Sequence, residues 1–257
     1  MLLAENMYVG YDGVDVVKNF NYHFEKGKIS TIIGPNGSGK STVLKAVSRL
    51  LKTSSGDIRL NEKDIKSYKT KSLSQMMAVL SQVNYAPSDF SVRDLVSFGR
   101  APYRRWYEVN SREDDKVVDW AIEVTRLGDL QHKRVVQLSG GERQRAWIAM
   151  ALSQQPKVLL LDEPTTYLDV CHQFEVMELV KDLNKTLGLT VVMVLHDLNQ
   201  ASIYSDNICL LRKGEIVCHG CPRSVMTPEI IKDVFNVRVD VSTDDLTGKT
   251  TVIPRGL

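Results

Sequence analysis

The chain has 257 residues, 43% hydrophobic and 25% charged, with a formal net charge of +2. Such a composition belongs to an ordinary folded protein and excludes collagen-like, mucin-like and disordered classes. The near-balanced charge gives no sign of a nucleic-acid partner. The longest uninterrupted apolar run, Ala146 to Leu152, is seven residues. A membrane-spanning helix needs about 20, so no crossing of a bilayer is expected. The opening Met1-Leu2-Leu3-Ala4-Glu5-Asn6 has no basic stretch followed by an apolar one, so no secretory signal is expected. Four cysteines are too few for a disulfide scaffold. Cys218 and Cys221 form a lone C-x-x-C around His219, without the second pair of ligands a zinc site needs.

In chain order, Leu2 to Tyr11 reads as a strand and Lys26-Gly27-Lys28 as a turn. Ile29 to Ile33 reads as a buried strand running into a Gly-rich loop, and a helix is predicted over Ser41 to Leu51. Ile58 to Leu60 is a predicted strand. A short helix near Lys71 to Met77 and a strand at Ala78 to Ser81 follow. From about Ser91 to Gln155 the pattern turns helical and more charged. Val117, Trp120, Ala121, Val124 and Leu127 repeat at three- and four-residue spacing, an amphipathic helix. The last third alternates again. Val158 to Leu161 is a strand, Gln173 to Leu187 a helix, Thr190 to Leu195 a strand and Leu198 to Tyr204 a helix. Ile208 to Leu211 and Glu215 to Val217 should pair across Lys213-Gly214. Apolar strands alternating with helices imply an α/β fold with a mostly parallel sheet covered on both faces, carrying a helical insert.

Gly34-Pro35-Asn36-Gly37-Ser38-Gly39-Lys40-Ser41 fits G-x-x-x-x-G-K-[ST], between a predicted strand and a predicted helix. Glycines there let backbone N–H groups turn inward around phosphates, and the helix N-terminus adds partial positive charge. Lys40 is placed to reach the β- and γ-phosphates, the Ser41 hydroxyl to ligate Mg²⁺, and Thr42 completes the loop's candidate nucleotide contacts. Val158-Leu159-Leu160-Leu161 delivers Asp162 and Glu163 to a strand's carboxyl end, where open α/β sheets bind ligands. Asp162 fits as a Mg²⁺ partner and Glu163 as the group that polarises the attacking water. Alone, the two acids could equally be a helix cap. Thr190 to Leu195 ends likewise in His196, a candidate sensor of the γ-phosphate. Leu138-Ser139-Gly140-Gly141-Glu142 has capping-box spacing and two glycines at a helix start, a second anion receptor unless it is a simple capped helix. A second receptor on a chain whose first already surrounds a triphosphate points to the nucleotide of another copy, and so to a head-to-tail dimer.

The phosphate loop, the LSGGE run, the VLLLDEP strand and the late histidine together resemble the ATP-binding cassettes of ABC transporters, over essentially the whole chain and in the right order. The resemblance implies a P-loop NTPase, RecA-like core with an N-terminal antiparallel β subdomain and an inserted helical subdomain. The core would take residues 1–82 and 156–257, and the insert 83–155. It implies that Tyr11 stacks on adenine, that Gln82 touches Mg²⁺ and the attacking water, and that Leu168-Asp169 crosses a dimer interface. It implies ATP and Mg²⁺ as ligands and a second copy of the chain as partner. Integral-membrane permease subunits would be driven at the cytoplasmic face of the inner membrane. A periplasmic or extracellular substrate-binding protein would be engaged only indirectly. Segments Phe98 to Tyr103, Trp147 to Leu152, Asp162 to Asp169 with His172-Gln173, Val194 to Ala201 and the tail around Asp244 to Pro254 resemble cassettes of iron-siderophore, haem and cobalamin importers, with ferric-siderophore import the best match. Manganese or zinc importers, separate-chain exporters and soluble cassette ATPases remain alternatives. Only 97 residues separate Lys40 from Leu138 without sustained heptads, which disfavours the long-armed DNA-repair type. Tyr103-Arg104-Arg105-Trp106-Tyr107 is more basic and aromatic than the family pattern, either an exposed turn or a face for the permease or lipid headgroups. Gln82 to Gly99 is the natural docking place for a permease helix.

Overall fold

The computed structural model describes residues 1–104, 111–245 and 248–256. Two compact units form, residues 1–67 with 190–257, and residues 68–189. The first unit opens with β1 (Leu2–Tyr11) and β2 (Val14–Phe24), an antiparallel pair joined at Asp12-Gly13. On β1 the buried residues are Leu2, Ala4, Met7 and Val9, so the alternation slips one place at Asn6. Asn6 has φ 47° and β2 carries a matching left-handed Asn19 at φ 46°. The Asn21 side chain joins them, accepting from the Asn6 N–H at 2.8 Å and donating to the Asn19 carbonyl at 2.9 Å. Paired bulges of this kind hide a strand from period-two reading. This is why β2, with Val17, Phe20, Tyr22 and Phe24 buried, escaped the reading of the sequence.

β3 (Ile29–Ile33) is wholly buried and leads through the Gly-rich loop to α1 (Lys40–Val47). The helix predicted to Leu51 stops at Val47. Arg49 turns left-handed at φ 63°, and the N–H groups of Leu50 and Leu51 fold back onto the Lys45 carbonyl at 2.9 and 3.0 Å. β4 (Ser55–Leu60) and β5 (Lys63–Asp64) complete an antiparallel sheet in the order β2-β1-β4-β5.

The second unit starts with α2 (Thr70–Met76) and β6 (Met77–Leu80), then α3 (Val92–Phe98), α4 (Arg112–Val124), α5 (Gly140–Ser153), β7 (Val158–Asp162) and α6 (Val170–Leu187). β6 and β7 pair in parallel. Ala146, Trp147, Ile148, Ala149, Ala151 and Leu152 are all buried, so the second half of α5 is apolar nearly all round, the mark of a helix end driven into the core. α4 buries Asp114, Val118, Ala121 and Ile122, while Val117, Trp120 and Val124 are half-buried. The expected stripe is therefore turned by one position, because Arg100 draws Asp114 inward. The Arg100 Nε lies 2.7 Å from Asp114 Oδ1, and its Nη1 donates to the Ser153 carbonyl at 2.8 Å. Leu127 is buried beyond the helix end. Of the basic-aromatic segment, Arg105, Trp106 and Tyr107 lie outside the described residues.

The chain returns to the first unit with β8 (Thr190–Val194), α7 (Leu198–Tyr204), β9 (Asn207–Arg212) and β10 (Glu215–Gly220). Here the strand order is β10-β9-β3-β8, parallel except for β10. α8 (Pro222–Val225), α9 (Pro228–Phe235) and the ribbon of β11 (Arg238–Thr243) and β12 (Thr250–Gly256) follow. The tail is thus an antiparallel ribbon, fixed to α7 by reciprocal Asn199–Val252 hydrogen bonds of 2.7 and 3.1 Å. Among the described residues no helix is long and apolar enough to cross a membrane.

Candidate functional site

In the first unit, register places the candidate residues. Ile32 on β3 is level with Val194 on β8. Two residues further along each strand stand Gly34, which opens the phosphate loop, and His196, so both leave the same edge. His196 is exposed there, and Asp197 caps α7 by accepting from the Gln200 N–H at 2.8 Å. Gly34 must be glycine: its φ is 152°, and a Cβ would fall on the Leu211 carbonyl. Gly39, in the left-handed region at φ 99°, is the N-cap of α1 and supplies no side-chain cap, and no acid occupies the first turn. The helix start is thus left positive and open. Lys40 is buried and arches over the loop, donating from Nζ to the Gly34 and Pro35 carbonyls at 2.9 and 3.1 Å. The Ser38 hydroxyl is buried without a hydrogen-bond partner. A buried cation, uncapped N–H groups and an orphan hydroxyl make a receptor suited to phosphate oxygens. Tyr11 ends β1 opposite Val14, and both side chains are exposed.

In the second unit the same register logic holds. Leu80 on β6 is level with Leu161 on β7, so Gln82 and Glu163 emerge side by side. Gln82 Nε2 donates to Glu163 Oε2 at 2.5 Å. The Thr166 hydroxyl donates to the same oxygen at 3.1 Å. Glu163 has φ 52°, a left-handed backbone that a glutamate rarely adopts and that local contacts must hold. Asp162, one residue earlier, is buried at the end of the strand.

The LSGGE run forms a reciprocal capping box: Ser139 N–H donates to Glu142 Oε2 at 2.8 Å and Glu142 N–H to Ser139 Oγ at 3.3 Å. The Ser139 N–H holds the Glu142 carboxyl below the usual carboxylate range. Asp169 caps α6 and turns its second oxygen to His172 Nδ1 at 2.8 Å. The His172 N–H and then its ring lower the Asp169 pKa. The two glycines have a packing role that the sequence did not reveal. A Cβ on Gly140 would sit 3.0 Å from Leu168 Cδ2, and one on Gly141 would sit 2.6 Å from His172 Cγ. A cleft of about 250 Å³ runs past Gln82, Gly140, Arg143, Trp147, Thr166 and Tyr167. Thr166 and His172 are the residues that reading the motifs missed as contacts. Thr166 stands three residues after Glu163, a spacing that could have suggested the bond, but nothing in the sequence places His172 against Gly141.

These features define a class, a P-loop nucleotide-hydrolysing protein whose α/β core carries a helical region. Comparison with known proteins gives the family. The ABC transporter family model matches residues 17–166. The petrobactin import ATP-binding protein FpuC of Bacillus anthracis is 47% identical over 94% of this chain and 89% of its own length. The iron(3+)-hydroxamate import ATP-binding protein FhuC of Bacillus subtilis is 44% identical over 96% of this chain and 92% of its own. A solved chain from a metal-chelate-type ABC transporter in an inward-facing conformation superposes with a TM-score of 0.86 at 28% identity, covering 99% of this chain and 96% of that one. The chain belongs to the ABC transporter family.

Proposed function

We propose that this chain is the ATP-binding, ATP-hydrolysing subunit that energises an importer of ferric siderophores. The observation that carries the hydrolytic reading is the Glu163 carboxylate, held by Gln82 and Thr166 at the carboxyl end of β7. A fixed carboxylate there orients a water and takes its proton as the γ-phosphate departs. The cargo reading rests on the relatives' iron-chelate imports.

The remaining roles follow from chemistry. The loop Gly34 to Thr42 holds the phosphates, with Lys40 exchanging its carbonyl partners for phosphate oxygens, and Tyr11 stacks on the base. His196 bonds the γ-phosphate and senses its loss. Ser41 in the first unit, and Gln82 and Asp162 in the second, each offer an oxygen donor of the kind a hard divalent cation such as Mg²⁺ takes. When bound, that ion neutralises phosphate charge. Ser139 to Glu142 receive the nucleotide of a second copy, and Asp169 lies along that interface. ATP thereby joins two chains head to tail, and its hydrolysis lets them part. Residues 83–155 act as the helical subdomain on the core 1–82 and 156–257. Val83, Tyr85 and Phe98 are exposed apolar side chains on the Gln82 to Gly99 segment, where a permease helix would dock at the cytoplasmic face of the membrane. A binding protein outside the membrane delivers the cargo to that permease.

The test is Glu163→Gln. Its Mg-ATPase rate should fall by about a hundredfold or more, the scale of a lost general base. Light scattering should show it trapped as an ATP-bound dimer. Normal turnover would remove Glu163 from the reaction. A tagged chain taken from detergent-solubilised membranes should bring a polytopic permease, whose binding protein should take ferric siderophores rather than haem or cobalamin. Changing Asp89 or Phe90 should lower uptake while leaving ATPase intact, and unchanged uptake would move the docking site elsewhere.

A further inference from the structure

The first turn of α5 is held by something besides its own capping box. Gly140 and Gly141 provide N–H groups with no partner inside the helix. Where those groups aim depends on what packs against the two glycines. Leu168 lies against the first, 3.0 Å from the place of its missing Cβ. The ring of His172 lies against the second. A Cβ on Gly141 would stand 2.6 Å from its Cγ and 2.8 Å from its Cβ, with Cδ2 nearer still. Real Cβ contacts do not come so close, so the ring fills the space the glycine leaves.

The ring is itself tied. Asp169 Oδ2 is 2.8 Å from His172 Nδ1, and Asp169 Oδ1 accepts the His172 N–H at 3.0 Å. Both carboxylate oxygens are thus engaged by one residue, which fixes the carboxylate and the imidazole together. The chain from the Asp169 carboxylate, through the imidazole, to the backbone of Gly141 is continuous and lies within one unit.

We propose that His172 is a positioning residue for the ATPase reaction: tied to Asp169 and seated against Gly141, its ring aims the first-turn N–H groups of α5 at the phosphates they receive. The proposal rests on the functional reading above. Removing the ring leaves the capping box of Ser139 and Glu142 intact, so the helix still forms. What is lost is direction. Donors that swing away from an anion weaken its binding more than they slow the chemistry at Glu163, which sits on a different strand end.

The experiment has two arms on the full chain. In the first, Mg-ATP is titrated against ATPase rate for the parent, His172→Ala and His172→Asn. His172→Ala should raise KM about three- to tenfold, the worth of one ordinary hydrogen bond weakened rather than removed, with kcat within about twofold. In a Glu163→Gln background the ATP midpoint for dimer formation should shift by the same factor. His172→Asn, whose side-chain amide can still donate to Asp169, should recover most of the loss. An unchanged KM in His172→Ala would overturn the proposal, as would an Asn variant no better than Ala. In the second arm, thermal unfolding without nucleotide compares Gly141→Ala alone and with His172→Ala. Alone it should destabilise. With the ring gone the cost should shrink, since the contacts with Cδ2 and Cγ disappear and only the one with the Cβ of residue 172 remains. An equal cost in both backgrounds means the ring is not seated on Gly141, and the proposal falls whatever the kinetics. A parent chain without ATPase activity would instead defeat the functional reading and the aiming role with it, while the thermal arm still decides the packing.

Discussion

Two helix starts to which the proposed function gives the same kind of ligand are built in opposite ways. α1 begins at a left-handed Gly39 that gives no side-chain cap, with no acid in its first turn. α5 begins with a reciprocal box in which Ser139 and Glu142 satisfy each other's N–H groups. The same box recurs at Ser91/Asp94 on α3 and Ser111/Asp114 on α4. α3, α4 and α5 close their own starts, whereas the phosphate-loop helix is left open and its lysine rests on carbonyls. On the proposed function the contrast has a reason: a start that surrounds a triphosphate cannot spend its donors on itself, and one that only completes a neighbour's site can keep its cap and offer what remains.

The three boxes are not equal, and the largest expected effect comes from separating them. Asp114 does more than cap: it faces the buried Arg100 guanidinium at 2.7 Å, with Arg104 at 3.7 Å on its other oxygen. Burial disfavours its charge, but hydrogen bonds from Arg100 and Ser111 outweigh that and hold its pKa below the ordinary value. Asp114→Asn should therefore cost about 3–5 kcal/mol in urea unfolding, since it strands a buried guanidinium. The equivalent Asp94→Asn on α3 should cost about 1 kcal/mol or less. The pH dependence has a definite sign. A carboxyl with a lowered folded pKa contributes stability above its unfolded pKa and loses it as pH falls through the folded value. The gap between the two variants should then close below about pH 4, the ordinary range of an aspartate.

Next in size is Lys40→Ala. Nothing else among the described groups of the open α1 start is a full positive charge at the loop. Loss of its charge-assisted bonds should weaken nucleotide binding about a hundredfold, on the scale of two such bonds at roughly 1.5 kcal/mol each. Equilibrium binding of a fluorescent ATP analogue measures it. A loss under threefold would mean that the backbone N–H groups alone carry affinity, and the contrast between the open and closed starts would lose its energetic basis.

How much of this was legible depended on whether the signal was local. β3 and α7 run over the residues their patterns marked, because a continuous apolar run and a short capped helix are local features. β1 was equally clear, but its partner β2 was hidden by the bulge at Asn19, where the inward face changes sides. The boundaries of α1 and the buried face of α4 were displaced by single residues, Arg49 and Asp114, whose conformation and pairing are settled by neighbours far along the chain. Gln82 and Glu163 could be named as separate motifs, yet only the β6–β7 register makes them bond. The glycines of the LSGGE run read as room for a phosphate. That they also make room for Leu168 and His172 is a tertiary fact with no trace in spacing.

The smallest effect is the most discriminating, because it compares the same chemistry in two places. Ser91→Ala and Ser139→Ala each delete a cap of the same design, with the serine accepting from the N3 backbone N–H and the N3 carboxylate accepting in return. Each should lower stability by about 1 kcal/mol, the usual worth of such a cap. If the start of α5 is only a capped helix, the resemblance ends there, and the two variants behave alike in ATP titrations as well. If it also receives phosphate, Ser139→Ala should raise KM for ATP several-fold while Ser91→Ala leaves it at the parent value. Stability then serves as the internal control. Two variants matched in unfolding free energy and split in KM locate the second receptor at α5, since a general loosening of the helical unit would move both numbers together.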